Sequence, residues 1–339
     1  MEPINRICSD DLAGKIIDVH SHVGVSVSCY AGASSYPYAQ SAESLYYRQI
    51  SQGIDVNVVF CLSGDLHFNI KKKIAQGIIE PAEHPISEAP FELENLILCR
   101  EVYEWCSSIT HRFLPFASID TGRSVSRQIK NLESLEQRYP IYGMKVHGVG
   151  LQTKVINILS KGRPFLEFAE SRGIPILFHT TSTTDDEYSH ASDVLKIVEK
   201  HPENRFCLAH CILFHRGYLK EAHQAPNAWV DTSALKIQVD LLKDCIGTYI
   251  DKKDVIDADF SDHRKVMQAL CSEFPGTIIW GTDAPAYTYI TRRKQGSSNY
   301  RDFRYSGTYE DETAALKCLP DTQQKEVSGM YTRKFLFGA

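Results

Sequence analysis

No stretch of this sequence is long and apolar enough to cross a bilayer, and its first fifteen residues contain no basic segment leading into an apolar run of signal-peptide kind. Those absences predict a cytoplasmic protein with no membrane partner. Basic residues do not gather into a tail, and a formal net charge of -5 over 339 residues argues against nucleic acid as a partner. No CxxC pair occurs. The ten cysteines are scattered, several in apolar runs such as VNVVFCL at Cys61 and RFCLAHC at Cys207 and Cys211. Reduced, buried thiols are expected, the last two as core residues of one strand. A GxSxG elbow, a P-loop and HExxH are missing, and Gly148-Val149-Gly150 lacks the third glycine of a dinucleotide fingerprint. No linker or low-complexity tract interrupts the chain, so residues 1–339 are expected to form one domain.

What is present is a series of eight short, near-continuously apolar runs: KIIDVH (15–20), DVNVVFC (55–61), RFLPFASI (112–119), YGMKVH (142–147), IPILFH (174–179), RFCLAH (205–210), AWVDTS (228–233) and TIIWGTD (277–283). Such runs suit parallel strands covered on both faces. Helical periodicity falls between them at 91–108, 124–139, 163–172, 192–200 and 262–274, with two further helices within 309–337. The expected fold is α/β: a distorted (β/α)8 TIM barrel with insertions at its C-terminal mouth, an open doubly wound sheet being the alternative. Three connections exceed a plain barrel's needs, at about 63–92, 235–260 and 286–308. The first and third should overhang the mouth as candidate lids.

Chemistry concentrates at the strand ends. In Asp18-Val19-His20-Ser21-His22 the two histidines are two apart on a strand, so both project to one side and can hold one metal ion. His179, His210 and Asp283 end strands five, six and eight, and Lys145 lies near the end of strand four. A barrel brings these ends to one mouth; the plainer alternative is unrelated polar residues capping buried strands. His147 shares the face of Lys145 and suits a role behind the ligands. Asp120 and Arg123 follow strand three and could reach the substrate; helix capping by Asp120 or Ser124 is the more ordinary reading.

The motifs DVHSH, YGMKVHG, ILFHT, LAHC and WGTDAP, in this order over nearly the whole chain, resemble the amidohydrolase superfamily, in particular its amidohydrolase-related TIM-barrel hydrolases and aromatic-acid decarboxylases. The resemblance implies that His20, His22 and His179 are metal ligands and that Asp283 both binds metal and moves a proton. It implies for His210 either a second metal ion or the substrate. For Lys145 it leaves open a carbamate bridging two ions, an ammonium attracting an anionic substrate, or an ion pair closing the mouth. Zinc is favoured, as one or two ions, with manganese, iron or cobalt compatible with the same ligands.

The expected activity is hydrolysis of an amide, lactone or ester-like bond of a small, anionic molecule by metal-activated water. Non-oxidative decarboxylation of an aromatic or enoic acid on the same centre is the alternative. A catalytically silent barrel is the third reading, disfavoured because buried imidazole and carboxylate are costly without a metal. Arg292, Arg293, Lys294, Arg301 and Arg304, interleaved with tyrosines and Phe303, suggest a lid clamping a carboxylate or phosphate; a solvated loop or a contact within a homo-oligomer fits equally.

Overall fold

The computed structural model describes residues 4–25, 39–62, 67–76, 78, 80–89, 91–285, 288–295 and 299–338. All eight apolar runs become parallel strands: β1 (Ile17–Val25), β3 (Val56–Cys61), β4 (Phe113–Ile119), β5 (Gly143–Val146), β6 (Ile176–Phe178), β7 (Phe206–Leu208), β8 (Ala228–Asp231) and β9 (Ile278–Ile279). A short β2 (Ala39–Gln40) adds antiparallel to the end of β1, and the remaining strands follow in chain order across one sheet. That sheet closes on itself. Val19 N–H donates to the Trp280 carbonyl at 3.1 Å, Asp283 N–H to His20 at 2.7 Å and His22 N–H to Ala284 at 2.6 Å. The fold is therefore the expected TIM barrel rather than an open sheet.

Alternation along each strand sorts the apolar side chains into two layers. Val58, Phe60, Leu114, Phe116, Leu177, Cys207, Trp229 and Ile279 form one buried cluster with Phe335 and Leu336. Their sequence neighbours Val59, Phe113, Ile176, Phe178, Phe206, Leu208 and Val230 belong to a larger cluster with the surrounding helices. The first cluster fills the barrel, and the terminal helix Tyr331–Phe337 supplies two of its side chains. Gly143 shows how tightly it is filled: a Cβ there would lie 2.4 Å from the Phe116 ring.

Expected helices appear at Phe91–Arg100, Val125–Glu136, Arg163–Arg172, Ala191–Lys200, His263–Glu273, Tyr309–Lys317 and Tyr331–Phe337. The connection at 235–260 is not simply an insertion. It opens with helix Leu235–Cys245, whose first N–H groups, of Leu235 and Lys236, donate to the buried Glu312 carboxylate at 2.9 and 3.0 Å. In the first long connection Asn69 N–H donates to Glu80 and Ala82 N–H to His67, both at 2.9 Å, folding that segment back on itself.

The connection at 286–308 is a hairpin, β10 (Thr288–Gln295) paired antiparallel with β11 (Asn299–Ser306). Thr, Tyr, Ile and Phe concentrated in those segments favour extended backbone. Phe303 is wholly buried, and Tyr305 Oη donates to Asp244, which ties the hairpin to helix Leu235–Cys245. Arg304 is exposed, while the side chains of Arg292, Arg293, Lys294 and Arg301 lie outside the described residues. The described cysteines are free thiols, and Cys211, expected in a strand, sits in the turn that follows β7.

Candidate metal centre

β1 carries the first two site residues on an irregularity. Asp18 pairs with Asn57 and Ser21 with Val59, so two residues, Val19 and His20, stand opposite the single Val58. Ile17 and Val19 point into the barrel core, and strict alternation would have sent Ser21 there next. The extra residue shifts the parity, and His20 and His22 both pack edge-on against the inward Phe60, with ring centroids at 4.9 and 5.0 Å. Gly281 makes room for this: a Cβ there would lie 2.8 Å from the His20 Cβ.

Asp283, with φ 64°, follows β9 and brings Oδ1 to 3.3 Å from His20 Nε2 and 3.2 Å from His22 Nε2. One ligand atom from each of these three residues lies within 4.8 Å of the others, a span that bonds of about 2.0–2.2 Å to a shared ion can bridge. The opposite ring nitrogens identify where the protons are. His22 Nδ1 lies 3.2 Å from the Cys61 carbonyl and His20 Nδ1 2.9 Å from Asp231 Oδ2, both acceptors, so each Nδ1 carries the hydrogen. As neutral rings, both then turn an Nε2 lone pair toward one carboxylate oxygen. A cation among them converts repulsion into attraction, so the donor set fits a divalent metal.

Three buried carboxylates organise this side. Asp18 accepts from His20 N–H, Ser21 Oγ, Asn57 Nδ2, Thr282 N–H and Thr282 Oγ1 at 2.7–3.1 Å, stapling β1 to β3 and to the segment after β9. Burial pushes its carboxyl up to about 6 even against those bonds. At Asp231 and Asp283 burial also raises the carboxyl, but the neighbouring His20 outweighs it and holds both well below the usual range. Burial and Lys145 push His20 down, yet Asp231 and Asp283 prevail and raise it, whereas burial leaves His22 lowered.

The other side of the mouth is built of imidazoles. Ring centroids run from His20 to His210 at 5.2 Å, His210 to His179 at 4.6 Å and His179 to His147 at 4.4 Å. His210 Nε2 and His179 Nδ1 are 2.9 Å apart, so these two residues bond to each other beside the His20, His22 and Asp283 group. Burial, first among the causes, lowers His210 to about 4 and His147 and His179 well below the ordinary histidine value. Lys145 Nζ lies 3.1 Å from His20 Nε2 and 4.8 Å from the Phe60 ring centroid, and burial lowers it to about 8. Among the described residues no carboxylate forms a direct ion pair with it.

His210 begins a turn in which five consecutive non-glycine residues, His210 to Phe214, have φ between 47° and 63°. Left-handed backbone costs about 1–2 kcal/mol per residue, and burial of all five side chains holds it. Ser182 Oγ donates to the Ile212 carbonyl at 3.0 Å and Ile256 N–H to Phe214 at 3.1 Å. Sequence reasoning found the histidines, the lysine and Asp283 but missed Asp231, Ser233 and the Cys61 carbonyl. Asp231 ends a barrel strand as the others do, and that position was its available signal. Asp120 Oδ1 accepts from Gly122 and Arg123 N–H at 2.9 and 3.2 Å and its Oδ2 pairs with the Arg123 guanidinium at 2.6 Å, so it closes the turn ahead of helix Val125–Glu136, whose N-cap residue Ser124 makes no side-chain cap bond; the expected helix cap is not formed.

The barrel mouth thus brings two histidines from the first strand and an aspartate after the last to one point that could hold a metal ion. Residues 91–304 match the sequence profile of the amidohydrolase family, and the chain belongs to that family. No curated relative matches by sequence. Among solved structures, an amidohydrolase from Burkholderia multivorans with bound zinc aligns with TM-score 0.60 at 11% identity, over 96% of this chain and 99% of that one. A probable 2-pyrone-4,6-dicarboxylic acid hydrolase from Acinetobacter baumannii aligns with TM-score 0.53 at 14% identity, over 96% and 100%. A 2,6-dihydroxybenzoate decarboxylase from Rhizobium also gives 0.53, at 12% identity over 95% and 98%. At these identities the likeness is one of fold.

Proposed function

We propose that this protein is a metal-dependent hydrolase that opens an amide, lactone or ester-like bond of a small anionic substrate. The observation that carries the reading is the convergence of the His20 and His22 Nε2 atoms on Asp283, with both Nδ1 atoms committed to acceptors. His20, His22 and Asp283 would hold a divalent ion with His179, zinc being favoured, and such an ion lowers the pKa of a water molecule to near 7. Asp283, held as an anion, takes a proton at its carboxylate and passes it to the leaving group. Lys145, cationic below about 8, attracts the substrate anion. Barrel side chains below the mouth keep bulk water from the site.

Non-oxidative decarboxylation remains the competing reading, because the Lys145 cation beside the same ligands suits a substrate carboxylate equally well. Two assays separate them: titratable acid released from lactones and amides, against carbon dioxide released from aromatic and enoic acids. Elemental analysis of protein purified without chelator, with Lys145→Ala alongside, tests the centre itself. About one metal equivalent in both supports a mononuclear site with Lys145 facing substrate. About two falling to one or fewer supports a carbamate bridge at Lys145. No metal, and no activity restored by zinc or manganese, overturns the proposal.

A further inference from the structure

Asp231 stands behind the mouth, wholly buried, and its two oxygens serve different residues. Oδ2 accepts from His20 Nδ1 at 2.9 Å. Oδ1 accepts from the backbone N–H of His210 at 3.1 Å, from the backbone N–H of Ser233 at 3.0 Å and from the Ser233 hydroxyl. Because the carboxylate only accepts, the Ser233 hydrogen points to it, and Ser233 Oγ is left as an acceptor toward His210 Nδ1 at 2.9 Å. The Ser233 carbonyl, 3.2 Å from the same nitrogen, can only accept too. His210 Nδ1 therefore carries the proton and Nε2 the lone pair. The bond at 2.9 Å to His179 Nδ1 must then be donated by His179, leaving its Nε2 free of hydrogen.

We infer that Asp231 is a positioning residue that, directly and through Ser233, sets the tautomers of His20, His210 and His179 together, so that His20 and His179 both present Nε2 lone pairs. This rests on the metal-centre reading above, and it goes beyond it in assigning His210 to the support of His179. A carboxylate is required rather than any polar side chain. In Asp231→Asn the three donors on the Oδ1 side retain the amide oxygen, and the amide N–H₂ faces His20 Nδ1. That nitrogen must then accept, and the His20 proton moves to Nε2.

Ring ¹⁵N spectra of histidine-labelled full-length protein, with and without zinc, together with zinc affinity by chelator competition, test the assignment. The wild type should show His20, His210 and His179 protonated at Nδ1. Asp231→Asn should shift His20 to the Nε2–H form and weaken zinc ten- to a hundredfold. Ser233→Ala should leave His20 protonated at Nδ1, because the arm to His20 does not pass through Ser233, and should weaken zinc less than Asp231→Asn does, because only the His210–His179 arm is disturbed. Wild-type His210 or His179 protonated at Nε2 overturns the inference, and so does Asp231→Asn with an unchanged His20 and zinc affinity within about threefold. The wild-type spectrum decides the matter even if Asp231→Asn does not fold. Absence of zinc binding with the predicted tautomers present in the metal-free protein would strike the metal reading and leave the tautomer relay standing.

Discussion

The two sides of the barrel mouth are built from the same kind of residue and solve opposite problems. On the β1, β8 and β9 side, His20 and His22 sit among the carboxylates Asp18, Asp231 and Asp283, and negative charge is concentrated where a cation would be held. On the β5, β6 and β7 side, buried His210 and half-buried His147 and His179 have no carboxylate hydrogen-bonded to their rings among the described residues, and loss of solvation lowers all three. An imidazole's setting here follows from its partner: carboxylate-backed His20 is governed by charge, whereas ring-backed His179 is oriented by His210 and governed by burial. Lys145 lies at the boundary, the cation nearest to both.

The largest break in that contrast should come from Asp283→Asn. Loss of the shared anion should lower turnover by about 10²–10⁴-fold and reduce metal content, read by steady-state assay and elemental analysis. Unchanged turnover would remove Asp283 from the chemistry.

Acid should act next, and mainly on the imidazole side. The unfolded chain binds protons at these three histidines near pH 6.5, whereas the native state resists them, down to about 4 for His210. Their depressed values make stability fall as pH drops below about 6.5, by about 1.4 kcal/mol per pH unit for each proton the unfolded state binds in excess. Asp18, raised to about 6, works in the opposite direction between about 6 and 4, and Glu312, which burial raises well above the usual carboxyl value, does the same, so together they offset two of the three. Denaturant midpoints of metal-free protein at pH 7 and pH 5 measure the net loss, and equal midpoints would mean the rings are charged in the folded state.

A smaller effect is expected at the boundary. Lys145→Met should raise KM for an anionic substrate about tenfold with metal content retained, and wild-type kcat/KM for that substrate should decline as pH rises through about 8. A KM unchanged in the variant would assign Lys145 to the metal instead. Smallest of all is Glu312→Gln, away from the mouth, where a weakened cap on helix Leu235–Cys245 should cost about 1 kcal/mol in chemical denaturation without changing metal content.

Much of this was legible before any coordinates. The strands were readable because parallel strands buried on both faces leave nearly unbroken apolar runs, and their order alone brought His20, His22 and Asp283 to one end. Helix Ala42–Gln52 was not, since it exposes Tyr47 and Ile50 and blurs the apolar stripe that a periodicity search needs. The hairpin of β10 and β11 does not stand out in the sequence because its basic residues interrupt the β-forming ones between them. Asp231 was passed over inside AWVDTS, where an aspartate beside Thr and Ser reads as turn chemistry. The Cys61 carbonyl has no side-chain signature at all, being a backbone atom whose role depends on where β3 ends.

The extra residue in β1 has a consequence for how variation in this protein should be interpreted. Parity past Asp18 depends on the count of residues between it and His22 as much as on their identity. An unbulged β1 of the present length would pair His20 with Val59 and turn both histidines away from Phe60, whereas removing Val19 would restore regular pairing with β3 and keep both on the Phe60 side. Substitution libraries would pass over this dependence. Single-residue deletions and insertions across 18–21 would expose it.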